Sequence, residues 1–278
     1  MTLPTGPVAF AKMSGAGNDF ILIDNRGGAI GPEAAELARC VCRRRISLGA
    51  DGLILLETDS EVDFSWRFFN DDGSTAEMCG NGARCAARFA FLEGIAGERM
   101  RFRTIAGIIA AEMRGDQVVV SLTRPGPLRR DLILELEGRA IAADAIHTGV
   151  PHAVIFVSDL EAVDVVATGR QIRQHQRFAP AGTNANFVQV RGSGHLAVRT
   201  YERGVEVETL ACGTGAAASA LAAAARFGWP GPVTVETRSG SRLAVDFDVT
   251  AQGFERVRLQ GEARLICRGE LHDDAWRD

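Results

Sequence analysis

The chain has 278 residues, 46% of them hydrophobic and 24% charged, with a mean hydropathy of +0.02 and 31 Lys+Arg against 35 Asp+Glu for a net charge of -4. That balance excludes a disordered or fibrous chain and gives no basic surface for nucleic acid or an anionic membrane. Six cysteines are too few and too scattered for a secreted disulfide framework and are expected as thiols, while Lys12, the only lysine, is the one place where a pyridoxal-phosphate Schiff base could form.

Met1 to Phe10 lacks the charged and apolar regions of a signal peptide, and no apolar run reaches the ~18 residues of a membrane span, so a cytoplasmic protein is expected. Gly15-Ala16-Gly17 has Phe20 where a dinucleotide fingerprint needs its third glycine, and that reading is dropped. Short strands are expected at Phe20 to Asp24, Leu53 to Glu57, Phe64 to Asn70, Ile108 to Met113 and Val118 to Leu122, which are apolar or alternating and bounded by turn formers. Pro32 to Arg44 is expected as a helix, with proline and acids early and basic residues late. Gly82 to Leu92 and Gly215 to Phe227 are expected as alanine-rich helices. Further strands are expected at Val154 to Val157, Phe187 to Val190, Ala197 to Tyr201, Val233 to Thr237, Leu243 to Phe247 and Arg256 to Leu259, with Ala263 to Cys267 as a last piece returning to the first half.

An internal repeat organises these pieces. Met78-Cys79-Gly80-Asn81-Gly82-Ala83 is echoed by Ala211-Cys212-Gly213-Thr214-Gly215-Ala216, and Thr104-Ile105-Ala106-Gly107 by Thr237-Arg238-Ser239-Gly240, both in one register. A looser echo pairs Asn18-Asp19-Phe20 with Ala185-Asn186-Phe187. Two copies of one α/β domain are therefore expected, at 1–124 with 264–278 returning to it and at 125–263, joined near Arg124-Pro125-Gly126-Pro127.

Each repeated cysteine stands on a Gly-x-Gly turn directly before a helix. Unpaired helix-start amides and the helix dipole favour a thiolate there, and the glycines let those amides approach a carboxylate. A single such turn is as well explained by close helix packing; two in matching positions suit removal of a proton on one face of a ligand and delivery on the other. Cys40, Cys42 and Cys85 are assigned to packing, and Cys267 to no role.

These motifs resemble the diaminopimelate epimerase family, which needs no pyridoxal phosphate. The resemblance runs through Ser14-Gly15-Ala16-Gly17-Asn18-Asp19-Phe20, Ala50-Asp51-Gly52, Phe69-Asn70 with Asp72-Gly73, Glu77-Met78-Cys79-Gly80-Asn81-Gly82-Ala83-Arg84-Cys85, Pro151-His152, Gly182-Thr183-Asn184, Glu202-Arg203-Gly204 and Glu208-Thr209-Leu210-Ala211-Cys212-Gly213-Thr214-Gly215. It implies two similar domains, each a barrel-like sheet around a central helix with pseudo-twofold symmetry and the active site between them. It implies conversion of LL-2,6-diaminopimelate to the meso isomer, for lysine and peptidoglycan precursors. The acid-base pair would be Cys79 and Cys212. Asn18, Asn70, Gly80, Asn81, Asn184, Glu202, Arg203, Gly213 and Thr214 would bind substrate, and His152 with Glu202 would tune the cysteines. No cofactor or metal is expected; the partner is a small-molecule substrate, with a homodimer as the family's frequent state.

Two departures stand out. Val150 occupies the place of an asparagine in the commoner Asn-Pro-His form, and Gly204-Val205-Glu206-Val207 makes the linker between Arg203 and Glu208 one residue longer. Another two-cysteine racemase of the same fold, acting on histidine or proline, is the competing enzyme. A metal-binding module is the competing non-enzyme, although Cys40-x-Cys42 on a helix is poor ligand geometry.

Overall fold

The computed structural model describes residues 6–75 and 78–277; Glu77 and the first five residues of the N-terminal segment, on which sequence readings rest, lie outside them. The chain divides into two compact units, one of Met1–Val120 with Glu262–Asp278 and one of Ser121–Gly261.

The first unit contains β1 (Val8–Gly15), β2 (Asn18–Asp24), α1 (Ala34–Val41), β3 (Gly52–Glu57), β4 (Phe64–Asn70), α2 (Gly80–Leu92), β5 (Arg99–Thr104), β6 (Gly107–Arg114) and β7 (Gln117–Ser121). The second contains β8 (Arg129–Leu136), β9 (Arg139–His147), β10 (Pro151–Phe156), α3 (Val165–Gln174), β11 (Asn184–Gly192), β12 (His195–Tyr201), the two-residue β13 (Glu208–Thr209), α4 (Gly213–Phe227), β14 (Val233–Glu236), β15 (Arg242–Thr250) and β16 (Gly253–Glu262). The last strand, β17 (Arg264–Leu271), pairs antiparallel with β1, Val8 opposite Leu271.

Strand pairing exposes the repeat more fully than the sequence does. In the first unit the order is β17-β1-β2-β3-β4-β5-β6-β7; in the second it is β8-β9-β10-β11-β12-β14-β15-β16. At each step both orders agree in direction: β2 and β3 are parallel, as are β10 and β11, and β4 and β5 are parallel, as are β12 and β14. Helices make these parallel crossovers, α1 and α2 in one unit and α3 and α4 in the other, as parallel strands require. The place that β8 fills beside β9 is filled beside β1 by β17, from the far end of the chain.

This alignment corrects the looser echo. Asn18 opens β2, whose counterpart is β10, whereas Asn186 lies on β11, the counterpart of β3. Asn18 stands two residues before Phe20 and Asn186 one residue before Phe187, so the two segments share no register.

The central helices are α2 and α4. Strands from well-separated places in the sheet order touch α2 (β1, β2, β3 and β6), and β9, β10, β11, β12, β14 and β15 touch α4, so each sheet wraps its helix. Small side chains make this possible: Ala83, Ala86, Ala87 and Ala90 on α2 and Ala216 through Ala224 on α4 are buried. Each sheet is buried on its other face too, by α1 over Ile21, Ile23, Leu53 and Leu55 and by α3 over Ala185, Phe187, Ala197 and Tyr201. Strands covered on both faces read as continuous apolar runs, which is why Leu53 to Glu57 is legible in the sequence; the strand itself starts one residue earlier, at Gly52. Among the described residues no helix is long and apolar enough to cross a membrane.

Candidate active site

Cys79 and Cys212 are the N-caps of α2 and α4. Both have extended backbone, and each sulfur accepts a hydrogen bond from the amide three residues on, Gly82 or Gly215, at 3.4 Å. Each cysteine carbonyl takes the first intrahelical bond, from Ala83 or Ala216, at 2.8 Å. Cysteine therefore occupies the place of a capping serine or aspartate, with its sulfur at the positive end of a buried helix. Thr214 Oγ1 adds a contact to Cys212 Sγ at 3.5 Å, and Thr148 Oγ1 donates to the Thr214 carbonyl at 2.9 Å.

The other thiols sit differently. Cys42 and Cys85 are buried in the core, and burial pushes both up to about 12, so they stay protonated and inert. Cys40 is also buried, and Cys267 is exposed on β17.

In the first unit, a two-residue hairpin at Ala16 and Gly17, both with positive φ, returns the chain so that Asn18 faces Gly15. A Cβ on Gly15 would lie 2.9 Å from the Asn81 carbonyl, so glycine is required for this approach. The approach links Asn18 to the Cys79 turn: Asn81 Nδ2 donates to Asn18 Oδ1 at 2.5 Å, and Asn18 Nδ2 donates to Asp51 Oδ2 at 3.0 Å. Arg84, fully buried one turn along α2, donates to Asn81 Oδ1 at 2.8 Å. Burial raises the Asp19 carboxyl, but hydrogen bonds from Arg44 and Lys12 more than offset this and hold it below the usual range. The single lysine is thus engaged in an ion pair with Asp19 at 2.8 Å. Asn70 stands apart from this network. Its amide and side chain bond Ser74 at 2.9 Å each, closing the turn after β4.

The corresponding sheet end of the second unit brings together His152, Asn184, Glu202 and Arg203. His152 lies opposite Asn184 in the β10-β11 register, and Ala185 opposite Tyr201 in the β11-β12 register. Asn184 Oδ1 accepts from the Arg203 amide at 2.7 Å, and Arg203 Nη1 donates to the Ala181 carbonyl at 3.0 Å. Burial raises the Glu202 carboxyl, opposed by a hydrogen bond from Thr209 Oγ1 at 3.0 Å. Burial, then the charges of His147 and Arg203, pull His152 down to about 3, so its ring is neutral. Its Nδ1 accepts from Asn186 Nδ2 at 3.1 Å, which leaves the proton on Nε2, a buried atom without a partner among the described residues. Val150 precedes β10 and brings no side-chain amide to this end of the sheet.

Asn186, Asp51, Arg84 and Thr148 support these groups; Asp51, Arg84 and Asn186 stand in the sequence motifs, but the motifs give none of the four a role. Asp51 meets Asn18 and Asn186 meets His152 through strand pairing, whereas Arg84 meets Asn81 within one turn of α2. Among the described residues no group of three or more His, Cys, Asp or Glu is placed to hold a metal ion.

The chain as a whole matches a known group of proteins. The family model described as diaminopimelate epimerase matches residues 10–126 and 145–266. The chain is 45% identical over 277 residues to the diaminopimelate epimerase of Aquifex aeolicus, covering 95% of this chain and 98% of that one. To the enzyme of the same name from Chlorobaculum tepidum it is 42% identical, covering 93% and 99%. Among solved structures, a hydroxyproline epimerase from Agrobacterium vitis shares the fold, with a TM-score of 0.72 and 16% identity over 96% of this chain and 93% of that one. The chain belongs to the diaminopimelate epimerase family.

Proposed function

We propose that this protein converts LL-2,6-diaminopimelate to the meso isomer without a cofactor, using Cys79 and Cys212 as the proton-exchanging pair. The observation that carries the reading is the equivalence of the two caps: one residue type in one hydrogen-bond arrangement at the start of two topologically matched helices. Family membership supplies the reaction.

In this mechanism one sulfur is a thiolate and the other a thiol. The thiolate forms an S–H bond with the α-proton as the C–H bond breaks, and the electron pair passes onto the α-carbon and into the carboxylate. From the opposite face the second thiol gives its proton to that carbon and keeps the S–H electron pair. The two sulfurs thereby exchange roles. An α-proton beside a carboxylate is weakly acidic, so the helix-start amides of Gly80-Asn81 and Gly213-Thr214 are assigned to the carboxylate, where negative charge grows. Arg203 suits the carboxylate of the distal amino acid group, with Asn18, Asn70 and Asn184 on its polar atoms. Asn184 can do this because its oxygen is already committed to the Arg203 amide, which leaves Nδ2 to donate. His152, neutral, acts as a fixed dipole and not as a proton carrier; Glu202 is the carboxyl that holds a proton more readily. The reading places the enzyme in the cytoplasm, where thiols stay reduced, and as a homodimer.

Proton NMR of LL-diaminopimelate with reduced enzyme in deuterated water, with histidine and proline in parallel, tests the proposal. Loss of the α-proton signal and growth of the meso isomer with diaminopimelate alone is expected. Exchange of proline or histidine instead would move the substrate while keeping the two-thiol chemistry.

A further inference from the structure

Arg84 is a cation in an unusual setting. Its side chain is fully buried, and among the described residues its hydrogen bonds go to neutral acceptors: the Gly80 carbonyl at 3.1 Å, Asn81 Oδ1 at 2.8 Å and the Glu262 carbonyl at 3.4 Å. A guanidinium stays charged in a protein, and a buried charge is costly without an anion nearby. The titratable groups whose charges reach it are Cys85 and Cys79 on its own helix and Glu262 at the end of β16; among the described residues none comes from β1, β2, β3 or β6, the strands packed on α2. The Cys85 thiol is pushed up to about 12 and is neutral, and the Glu262 carboxylate also pairs with Arg264 at 2.9 Å. Cys79 caps the helix that carries Arg84. The guanidinium grips Gly80 and Asn81, the two residues that follow Cys79.

We infer that Arg84 is a positioning residue that serves as the counter-cation of the Cys79 thiolate and makes Cys79 the sulfur that ionises first in the free enzyme. At the matching place on α4, five residues after Cys212, stands Ala217, so the repeat is symmetric in its caps and asymmetric in this charge. The same guanidinium fixes the Asn81 amide with its oxygen inward, which turns Nδ2 to Asn18. Arg84 thus has an electrostatic effect on Cys79 and a geometric effect on the Asn81-Asn18 pair.

This inference rests on the two-thiol reading, and one experiment separates their failures. The pH dependence of alkylation by iodoacetamide is measured on intact protein, with peptide mass spectrometry reading Cys79 and Cys212 separately. Arg84→Met and Arg84→Gln are expected to raise the Cys79 midpoint by about one pH unit or more and to leave Cys212 in place, and Arg84→Lys to restore it. An unchanged Cys79 midpoint in a folded neutral variant, or equal movement of both thiols, would overturn the inference. Should neither neutral variant fold, the wild-type order decides: a Cys79 midpoint below that of Cys212 is expected, and one at or above it overturns the assignment. The two-thiol reading fails separately, through turnover by Cys79→Ala.

Discussion

Asn186 Oδ1 lies so close to the Cα of Gly215 that a Cβ there would collide with it. The amide cannot retreat, because Nδ2 is held by His152 and the Ala153 carbonyl and Oδ1 accepts from Thr200 Oγ1 at 3.0 Å. One glycine thus joins the Cys212 cap to the histidine behind it. At the matching Gly82, the nearest atom to an added Cβ would be Ile54 Cδ1 at 3.3 Å, the movable end of a side chain.

Gly215→Ala is therefore expected to cost about 1–3 kcal/mol of stability and to lower kcat by ~10-fold or more, with Gly82→Ala nearer wild type in both. Thermal denaturation and steady-state rates on the two variants check this; equal effects would show that the Asn186 contact carries nothing.

Cys79→Ala and Cys212→Ala are each expected to abolish epimerisation in both directions while the melting temperature moves little, since each removes one sulfur from a helix cap worth about 1 kcal/mol. Turnover within tenfold of wild type in either variant would refute the two-thiol mechanism.

Asp51 Oδ2 accepts from Asn18 Nδ2 at 3.0 Å and from the Asp19 amide at 3.2 Å, and so fixes which way the Asn18 amide faces. Asp51→Ala is expected to raise KM for diaminopimelate by about 10-fold, roughly 1.4 kcal/mol, with a smaller change in kcat. A pure kcat effect would place Asn18 away from the substrate.

The His152 ring has a folded-state pKa near 3, below its unfolded value of about 6.5. Its neutral burial therefore contributes stability in full above about pH 6.5, and that contribution is lost as the pH falls from there toward about 3. Between about pH 7 and pH 5, where few carboxylates titrate, the wild-type melting temperature is expected to fall. In His152→Gln the slope should be flatter, whatever the variant's absolute stability; parallel slopes would show that His152 does not govern this range.

The thiols should sort by environment under alkylation near pH 8. Exposed Cys267 and the two capping cysteines are expected to react, and Cys42 and Cys85, pushed up to about 12, to remain unlabelled until the protein unfolds. Labelling of Cys85 in folded protein would contradict its place in the core.

The sequence was most legible where a local rule sets the structure. Cys-Gly-x-Gly before an alanine run announces a helix start, and α2 and α4 begin within two residues of the expected places. A continuous apolar run marked β3, and alternation marked β4. Other elements were missed although a pattern existed: β5 alternates Arg99, Arg101 and Arg103 outward with buried Met100 and Phe102, and α3 buries Val165, Thr168, Gly169 and Ile172 at helical spacing behind an Asp164 cap. Their apolar stripes are narrow and set among charges, so periodicity is weak over a short window. β8 buries only Leu134 and offers no alternation to read.

The family and the two helix-capping cysteines could be read from the chain alone, because capping chemistry and glycine turns act within a few residues of the chain. Tertiary structure decided which groups stand behind those thiols. Asp51 behind Asn18, Asn186 behind His152 and Gly215, and Glu262 meeting Arg84 across 178 positions are pairings of strand register and helix packing, and a register shift of one residue would undo them. It also separated Cys85 from Cys79, six residues away at the start of the same helix: one sulfur caps the helix and the other is buried in the core.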